Sequence, residues 1–209
     1  MLMNARDAAA LHSYGAGLLE RAVGFALDAL DALPPFALDD LLRPTPCEGW
    51  DLWMLLRHFD DSLAVLNEAV GTGSVRLEPP AKETALAWDP AGELVASLRR
   101  GAGRLLGAWT AAGRGGGVVT VAGCPMRAGV VAGTGAVELV VHAWDAARAC
   151  GEDLPIPVPL AERLLRLAPL LVPDHARPGL FGPPAEAPAG APPGDRLVAF
   201  LGRDPQAGR

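Results

Sequence analysis

A carboxylate and an imidazole stand four residues apart in the stretch ELVVHAWDAAR, residues 138–148. In an α-helix, side chains at positions i and i+4 lie on the same face, with Cβ atoms about 5–6 Å apart. Glu138 and His142 can therefore reach one metal ion from a single helix, and Asp145 lies near the same stripe. The same spacing also fits a helix with some polar surface. A metal site needs a further ligand from elsewhere in the chain.

His58 is the candidate for that further ligand. Its apolar neighbours, including Leu55 and Phe59, predict a helix packed against a core. Metal sites in helix bundles are commonly built from side chains on facing helices. Two imidazoles and a carboxylate suit Zn²⁺ with a fourth position open, and they also suit Fe²⁺, Ni²⁺ or Mn²⁺. We therefore predict His58, Glu138 and His142 as ligands; the alternative is that His58 is a core histidine held by hydrogen bonds.

Three further residues near this motif have two interpretations each. Asp145 either orients a ligand histidine by accepting its hydrogen bond or pairs with Arg148 on the helix surface, and a structural role is favoured. Trp144 is expected to pack in the core, with a place in a pocket wall as the alternative. Arg127 precedes the metal-binding helix and is either a solvated loop arginine or a bidentate partner for a substrate carboxylate.

The elements that must position these residues follow from periodicity and from capping or breaking residues. Asp51 is expected to cap the second helix, where Trp50 packs on Leu55. Residues 71–89, with Pro79 and Pro80, are predicted to be a loop. Residues 117–123 are predicted to be extended, in a small hairpin or crossover. Helices are predicted over 7–33, 51–70, 90–113, about 132–151 and 160–172, with one or two further turns within 195–203.

The composition excludes some classes of function. The chain has 209 residues, half of them hydrophobic, which is enough for one sizeable core with a small appendage. Its formal charge is −6 and Lys82 is its single lysine, so a nucleic-acid partner is not expected. No apolar run is long enough for a membrane span, and no secretory signal is evident. Either a monomer or a homodimer is compatible with the apolar helix faces.

The three cysteines indicate a reducing compartment. Cys47, Cys124 and Cys150 are far apart and odd in number, which makes a poor disulfide framework. A cytoplasmic location is therefore expected. Cys47 and Cys124 are sensible zinc ligands by type, but neither shares a helical register with His58.

Three segments resemble a known family. They are TPCEGWDLWMLLRHF (45–59), ELVVHAWDAARACG (138–151) and the Pro/Gly-rich tail at 177–205. They are similar to actinobacterial metal-binding proteins related to mycothiol-dependent maleylpyruvate isomerase, in the DinB-like superfamily. The resemblance implies an all-α fold with a minor β segment: a DinB-like four-helix bundle over 1–155, with a long crossover. It also implies that residues 156–209 form a C-terminal helix and tail packed on the bundle.

The same resemblance implies a function. A divalent metal, usually zinc, is held by the equivalents of His58, Glu138 and His142, and it activates the small thiol mycothiol as a thiolate. Such a thiolate adds to an activated alkene or opens an electrophile, so a transferase or isomerase acting on a small molecule is expected. One alternative is a metal-dependent hydrolase with Asp145 as its base. Another is a metal-containing binding or stress protein without turnover.

Overall fold

The computed structural model of the chain describes residues 5–35, 37–76, 90–112, 117–177 and 181–206, with the side chains of the first helix described from Gly17 onward. The fold is mostly helical with one small sheet, as predicted. Its helices are α1 (Ala5–Ala32), α2 (Leu52–Thr72), α3 (Pro90–Ala111), α4 (Ala128–Ala149), α5 (Val158–Leu171) and α6 (Pro193–Phe200). Two short 3-10 helices cover Leu38–Leu42 and Asp174–Ala176.

The first four helices form a bundle. Helix α1 packs against α3 and α4, and α2 packs against the same two helices. Helices α1 and α2 therefore lie on one diagonal of the bundle, and α3 and α4 lie on the other. This arrangement brings α2 and α4, which carry the predicted ligands, side by side.

Helix α4 is the buried centre of the fold. Every residue from Gly135 to Arg148 is buried except Glu138, which is partly exposed. A helix that is apolar on all sides is a core helix, and α4 contacts α1, α2 and α5. Polar groups in such a helix must find partners, because an unpaired buried polar group is costly. Glu138, His142 and Asp145 are therefore placed where they must interact with one another or with a neighbouring element.

Helix α2 has the predicted cap at its start. The Asp51 carboxylate accepts a hydrogen bond from the Met54 backbone N–H at 2.8 Å. The helix runs two residues beyond the predicted end at Val70, through Gly71, because it is Gly73 that adopts the left-handed conformation (φ 69°) and ends it. Helix α4 begins about one turn before the predicted residue 132, because the preceding strand leads directly into it at Ala128.

A three-stranded sheet lies beside the bundle. Strand β2 (Val118–Val121) pairs in antiparallel fashion with β3 (Cys124–Arg127) and in parallel with β1 (Ser74–Val75). The extended segment predicted at 117–123 is thus confirmed as a hairpin strand. Strand β1 falls in the predicted loop 71–89 and corrects that prediction, since two residues are too few to show alternation. Pro79 and Pro80 of that loop lie outside the described residues.

The C-terminal elements close one side of the bundle. Helix α5 packs on α1 and α4, and α6 packs on α5. After α6 the chain turns at Gly202, whose φ of 87° is left-handed. A Cβ at Gly202 would lie 3.0 Å from the backbone of Gly182, so a glycine is required on both counts. This turn directs Arg203 into the protein. Within the described part of the chain, none of the helices combines the length and hydropathy that a membrane span needs.

Candidate metal centre

The three predicted ligands meet between α2 and α4. The Oε2 atom of Glu138 lies 3.2 Å from Nε2 of His142 and 3.5 Å from Nε2 of His58. The three ligand atoms all lie within 4.8 Å of one another. Two ligands at about 2.0–2.2 Å from a tetrahedral zinc ion are about 3.4 Å apart. The two short separations from Glu138 and the donor types therefore fit one divalent cation.

The site is closed around His142 and open around Glu138 and His58. The side chain of His142 is 6% exposed, whereas those of Glu138 and His58 are 25% and 42% exposed. Two of the three ligands can therefore be reached from outside, and a fourth ligand can approach from that side.

Electrostatics favour a charged carboxylate and a charged imidazole in this cluster. Burial opposes ionisation of Glu138, but hydrogen bonds and charge interactions with His142 and His58 outweigh it and hold its pKa well below the usual range. Burial also opposes charging of His142, yet Asp145 and Glu138 raise its pKa to about 9. The strong negative potential that retains this proton is also what attracts a cation.

Asp145 accepts hydrogen bonds from two sides. Its Oδ2 atom lies 3.3 Å from Nδ1 of His142 and 2.9 Å from Nη2 of Arg203. Its side chain is fully buried, and the Arg203 side chain is 5% exposed. Of the two sequence interpretations, the surface pair with Arg148 is wrong, whereas the hydrogen bond from His142 is present. Arg148 instead donates to Asp153 and to the Pro205 carbonyl.

Trp50 is part of the site, which the sequence did not indicate. Its ring stacks on that of His142 with centroids 6.1 Å apart, and it meets the ring of His58 edge-on at 4.9 Å. The indole therefore restricts both imidazoles. Trp144 is instead 4% exposed in the core, with the Arg148 guanidinium 5.5 Å from its ring centroid.

A cavity of about 380 Å³ lies beside the two accessible ligands. Its size falls in the range of about 300–1,000 Å³ typical of small-molecule sites. Arg127, which is exposed at the end of β3, and Trp144 do not line this cavity. The lining residues come from α2, the sheet and α4: His58, Asp61, Ser62, Val65, Leu66, Val75, Val121, Met126, Val131, Thr134, Gly135 and Glu138.

One family model matches most of the helix bundle. Residues 18–147 match the family described as the mycothiol maleylpyruvate isomerase N-terminal domain. The match spans more than half of the chain and includes α2 and nearly all of α4. The chain belongs to this family. Its all-α bundle with a minor sheet and its relation to the DinB-like superfamily, both expected from the sequence, are thereby confirmed.

Similarity to whole proteins extends beyond the family domain. Two uncharacterised proteins of Mycobacterium tuberculosis, from strains CDC 1551 / Oshkosh and H37Rv, are each 32% identical to this chain over 168 residues. The alignment covers 79% of this chain and 86% of each relative. No solved structure gives a significant match.

Arg203 lies outside the part of the chain that matches the mycothiol maleylpyruvate isomerase N-terminal domain. The matched region contains the three predicted ligands and Asp145, but the guanidinium that pairs with Asp145 comes from residue 203. The C-terminal segment therefore supplies an interaction of the candidate metal centre that lies outside the matched family domain. The spacing of residues along the chain did not predict the pairing of Asp145 with Arg203.

The cysteines are not part of the ligand cluster. Burial raises the pKa of Cys47 and raises that of Cys150 to about 11, while Cys124 is exposed in β3. We expect Ellman's reagent at pH 8 to label Cys124 rapidly and the other two slowly, because a thiol of pKa about 11 is only about one-thousandth ionised there. Loss of the fast phase in Cys124→Ser would confirm this order. A fast phase that remains would contradict it.

Proposed function

We propose that this protein binds one divalent metal ion, most simply Zn²⁺, through His58, Glu138 and His142, and that it catalyses a mycothiol-dependent transfer or isomerisation. The observation that carries the proposal is the convergence of three donor atoms within 4.8 Å at the edge of a cavity. Membership of the mycothiol maleylpyruvate isomerase family supports the choice of thiol.

The proposed chemistry is nucleophilic attack by a thiolate. A divalent ion bound at these residues would lower the pKa of a thiol, so that the thiolate is the main form at neutral pH. The sulfur then forms a C–S bond with an electrophilic carbon. In an addition, the π electron pair moves to the neighbouring carbon, which takes up a proton. In a displacement, the leaving group departs with the electron pair. Isomerisation requires subsequent loss of the thiolate from the adduct.

The protein contributes orientation and restricted access. Asp145 fixes the His142 ring by accepting from Nδ1, which leaves Nε2 directed at Glu138. Such carboxylate partners set both the tautomer and the ring orientation of a ligand histidine. Trp50 covers the imidazoles on one side, so that a reactant approaches from the cavity side, next to His58 and Glu138.

The structure argues against Asp145 as the general base of a metal-dependent hydrolase. The sequence offered Asp145 for that role, but its carboxylate is fully buried and its oxygens are held by Arg203 and His142. A group so enclosed has no access to an incoming water molecule. The described residues therefore favour thiol chemistry over water activation by Asp145.

The test is thiol-dependent turnover by the zinc-loaded protein. We expect consumption of an activated alkene that requires mycothiol and stops on addition of a chelator. His142→Ala and His58→Ala should each abolish it, while Met54→Ala, an exposed change near the start of α2, should not. Stoichiometric zinc without turnover for any thiol and alkene tried would leave a metal-containing binding protein. Folded wild-type protein that takes up no divalent metal would refute the proposal altogether.

A further inference from the structure

The cavity beside the candidate metal centre extends along two neighbouring helices. Each helix contributes residues at the i, i+3, i+4 and i+7 spacing of one helical face. The lining residues of α2 are His58, Asp61, Ser62, Val65 and Leu66, and those of α4 are Val131, Thr134, Gly135 and Glu138. At about 1.5 Å of rise per residue, each face is about 10–12 Å long. The cavity can therefore accommodate a chain of atoms rather than a single small group.

The two helices are antiparallel along this cavity. His58 lies opposite Glu138, with 3.5 Å between the imidazole Nε2 and the carboxylate Oε2. About two turns further along α2, Leu66 lies opposite Gly135, where an added Cβ would be 2.5 Å from the leucine Cδ2. The two accessible candidate ligands are therefore at one end of the cavity. Leu66 and Val131 are at the other end, where they also line a second cavity of about 130 Å³ and so separate the two.

The two ends of the cavity differ in polarity. Along α2, the lining changes from the imidazole of His58 to the aliphatic side chains of Val65 and Leu66. Along α4, it changes from the carboxylate of Glu138 to the isopropyl group of Val131. The cavity therefore has a polar end beside the donor atoms and an aliphatic end away from them.

The small sheet adjoins the aliphatic end. Strand β1 follows α2 and strand β3 leads directly into α4, so the strands lie next to the helix ends that carry Leu66 and Val131. Each strand contributes one apolar side chain to the lining, namely Val75, Val121 and Met126. The aliphatic end is thus lined by both helices and by the sheet.

Three aliphatic side chains at this end are only partly buried. Val65, Val121 and Val131 pack on a small hydrophobic cluster that is separate from the main core. All three line the cavity, so an apolar group placed there would cover surface that the fold itself leaves exposed. The volume of about 380 Å³ is that of a small-molecule site. An aliphatic part of a small molecule is therefore the occupant that this end fits.

We propose that the electrophilic co-substrate of the thiol reaction carries an aliphatic chain. This chain lies between Val65, Val121 and Val131, and the reactive carbon lies at the end formed by His58 and Glu138. The catalytic part of this assignment rests on the proposed function. Binding of the chain does not, because the aliphatic end contains none of the three candidate ligands. It can therefore be measured without turnover and without metal.

The n-alkyl propanoates are suitable probes, since they are uncharged, saturated analogues of alkyl acrylates and cannot add a thiol. Isothermal titration calorimetry would give dissociation constants of the methyl, propyl and pentyl esters for the zinc-free and the zinc-loaded protein. We expect each added methylene to strengthen binding about two- to fourfold, because burial of a methylene group is favourable. The pentyl ester should thus bind at least about sixteenfold more tightly than the methyl ester in both forms. Equal dissociation constants across the series, or no detectable binding of the pentyl ester, would overturn the proposal.

Filling the aliphatic end tests whether the chain binds there. Val65→Trp would place an indole in this part of the cavity, so the pentyl ester should bind no more tightly than the methyl ester. Met54→Trp is the matched control, because Met54 is on the same helix, 45% exposed and outside the lining. Val121→Phe fills the same end from the sheet and provides the test if circular dichroism shows Val65→Trp to be unfolded. A retained preference for the pentyl ester in either folded variant would place the binding elsewhere and overturn the assignment.

The two proposals fail in different ways. Binding that strengthens with chain length, without mycothiol-dependent turnover of alkyl acrylates, would retain the aliphatic site and reject the catalytic function. Mycothiol-dependent turnover with dissociation constants and kcat/KM independent of chain length would retain the function and reject the aliphatic site.

Discussion

Replacing His58 with alanine is expected to weaken zinc binding by about 10²–10³-fold while the protein remains folded. A structural zinc ion contributes about 10–16 kcal/mol through four ligands, so the loss of one ligand removes about 3–4 kcal/mol. His58 is the most exposed of the three ligands, with 42% of its side chain accessible. Its removal therefore leaves little buried space unfilled, and the fold should tolerate it.

Competition titrations against a chromophoric chelator would measure this loss, with circular dichroism to confirm helix content. Met54→Ala is the control, because Met54 lies on the same helix, is 45% exposed and is not one of the three ligands. Wild-type affinity in folded His58→Ala protein would show that the imidazole of residue 58 is not a ligand.

Replacing Asp145 with alanine is expected to lower the free energy of unfolding by about 3–5 kcal/mol. The substitution leaves the Arg203 guanidinium buried without its carboxylate, and an uncompensated buried charge is strongly destabilising. It should also weaken zinc binding by about 10–100-fold, because Nδ1 of His142 loses its acceptor.

A double-mutant cycle separates the pair from the simple loss of a side chain. Urea unfolding of the zinc-free Asp145→Ala, Arg203→Met and double variants would show the double variant recovering much of the stability, since neither charge is then buried alone. Asp31→Ala is the control: its pair with Arg99 is exposed, so it should change stability by less than about 1 kcal/mol. Additive losses in the cycle would show that the two residues are not coupled.

The clustering of the three candidate ligands could be predicted in part because local geometry carries much of the information. Spacing alone places Glu138 and His142 on one helical face, and the structure confirms that both lie in helix α4. Their convergence with His58 depends on bundle packing, and the family resemblance together with the apolar neighbours of His58 indicated it. The Asp51 cap was also correct, because capping depends on residues within one turn.

The rest of the site depends on contacts that local sequence does not specify. Arg148 is three residues from Asp145 and Arg203 is 58 residues away, so spacing favoured the wrong arginine. The choice is decided by burial, since Asp145 faces the interior. Trp50 was assigned to packing on Leu55 because a residue before a helix cap usually packs locally. Its contacts with both imidazoles join the loop before α2 to helices α2 and α4, and spacing along the chain does not specify such tertiary contacts.

The pairing of Asp145 with Arg203 also bears on how the protein is made. His58, Glu138 and Asp145 emerge from the ribosome well before the residues beyond α6. A nascent chain therefore contains the candidate metal ligands and the Asp145 carboxylate before it contains the guanidinium of Arg203. Until Arg203 has emerged, the carboxylate of Asp145 lacks its counter-ion. Messages that stop short of codon 203 should therefore yield polypeptides that leave this carboxylate buried alone and that are prone to degradation.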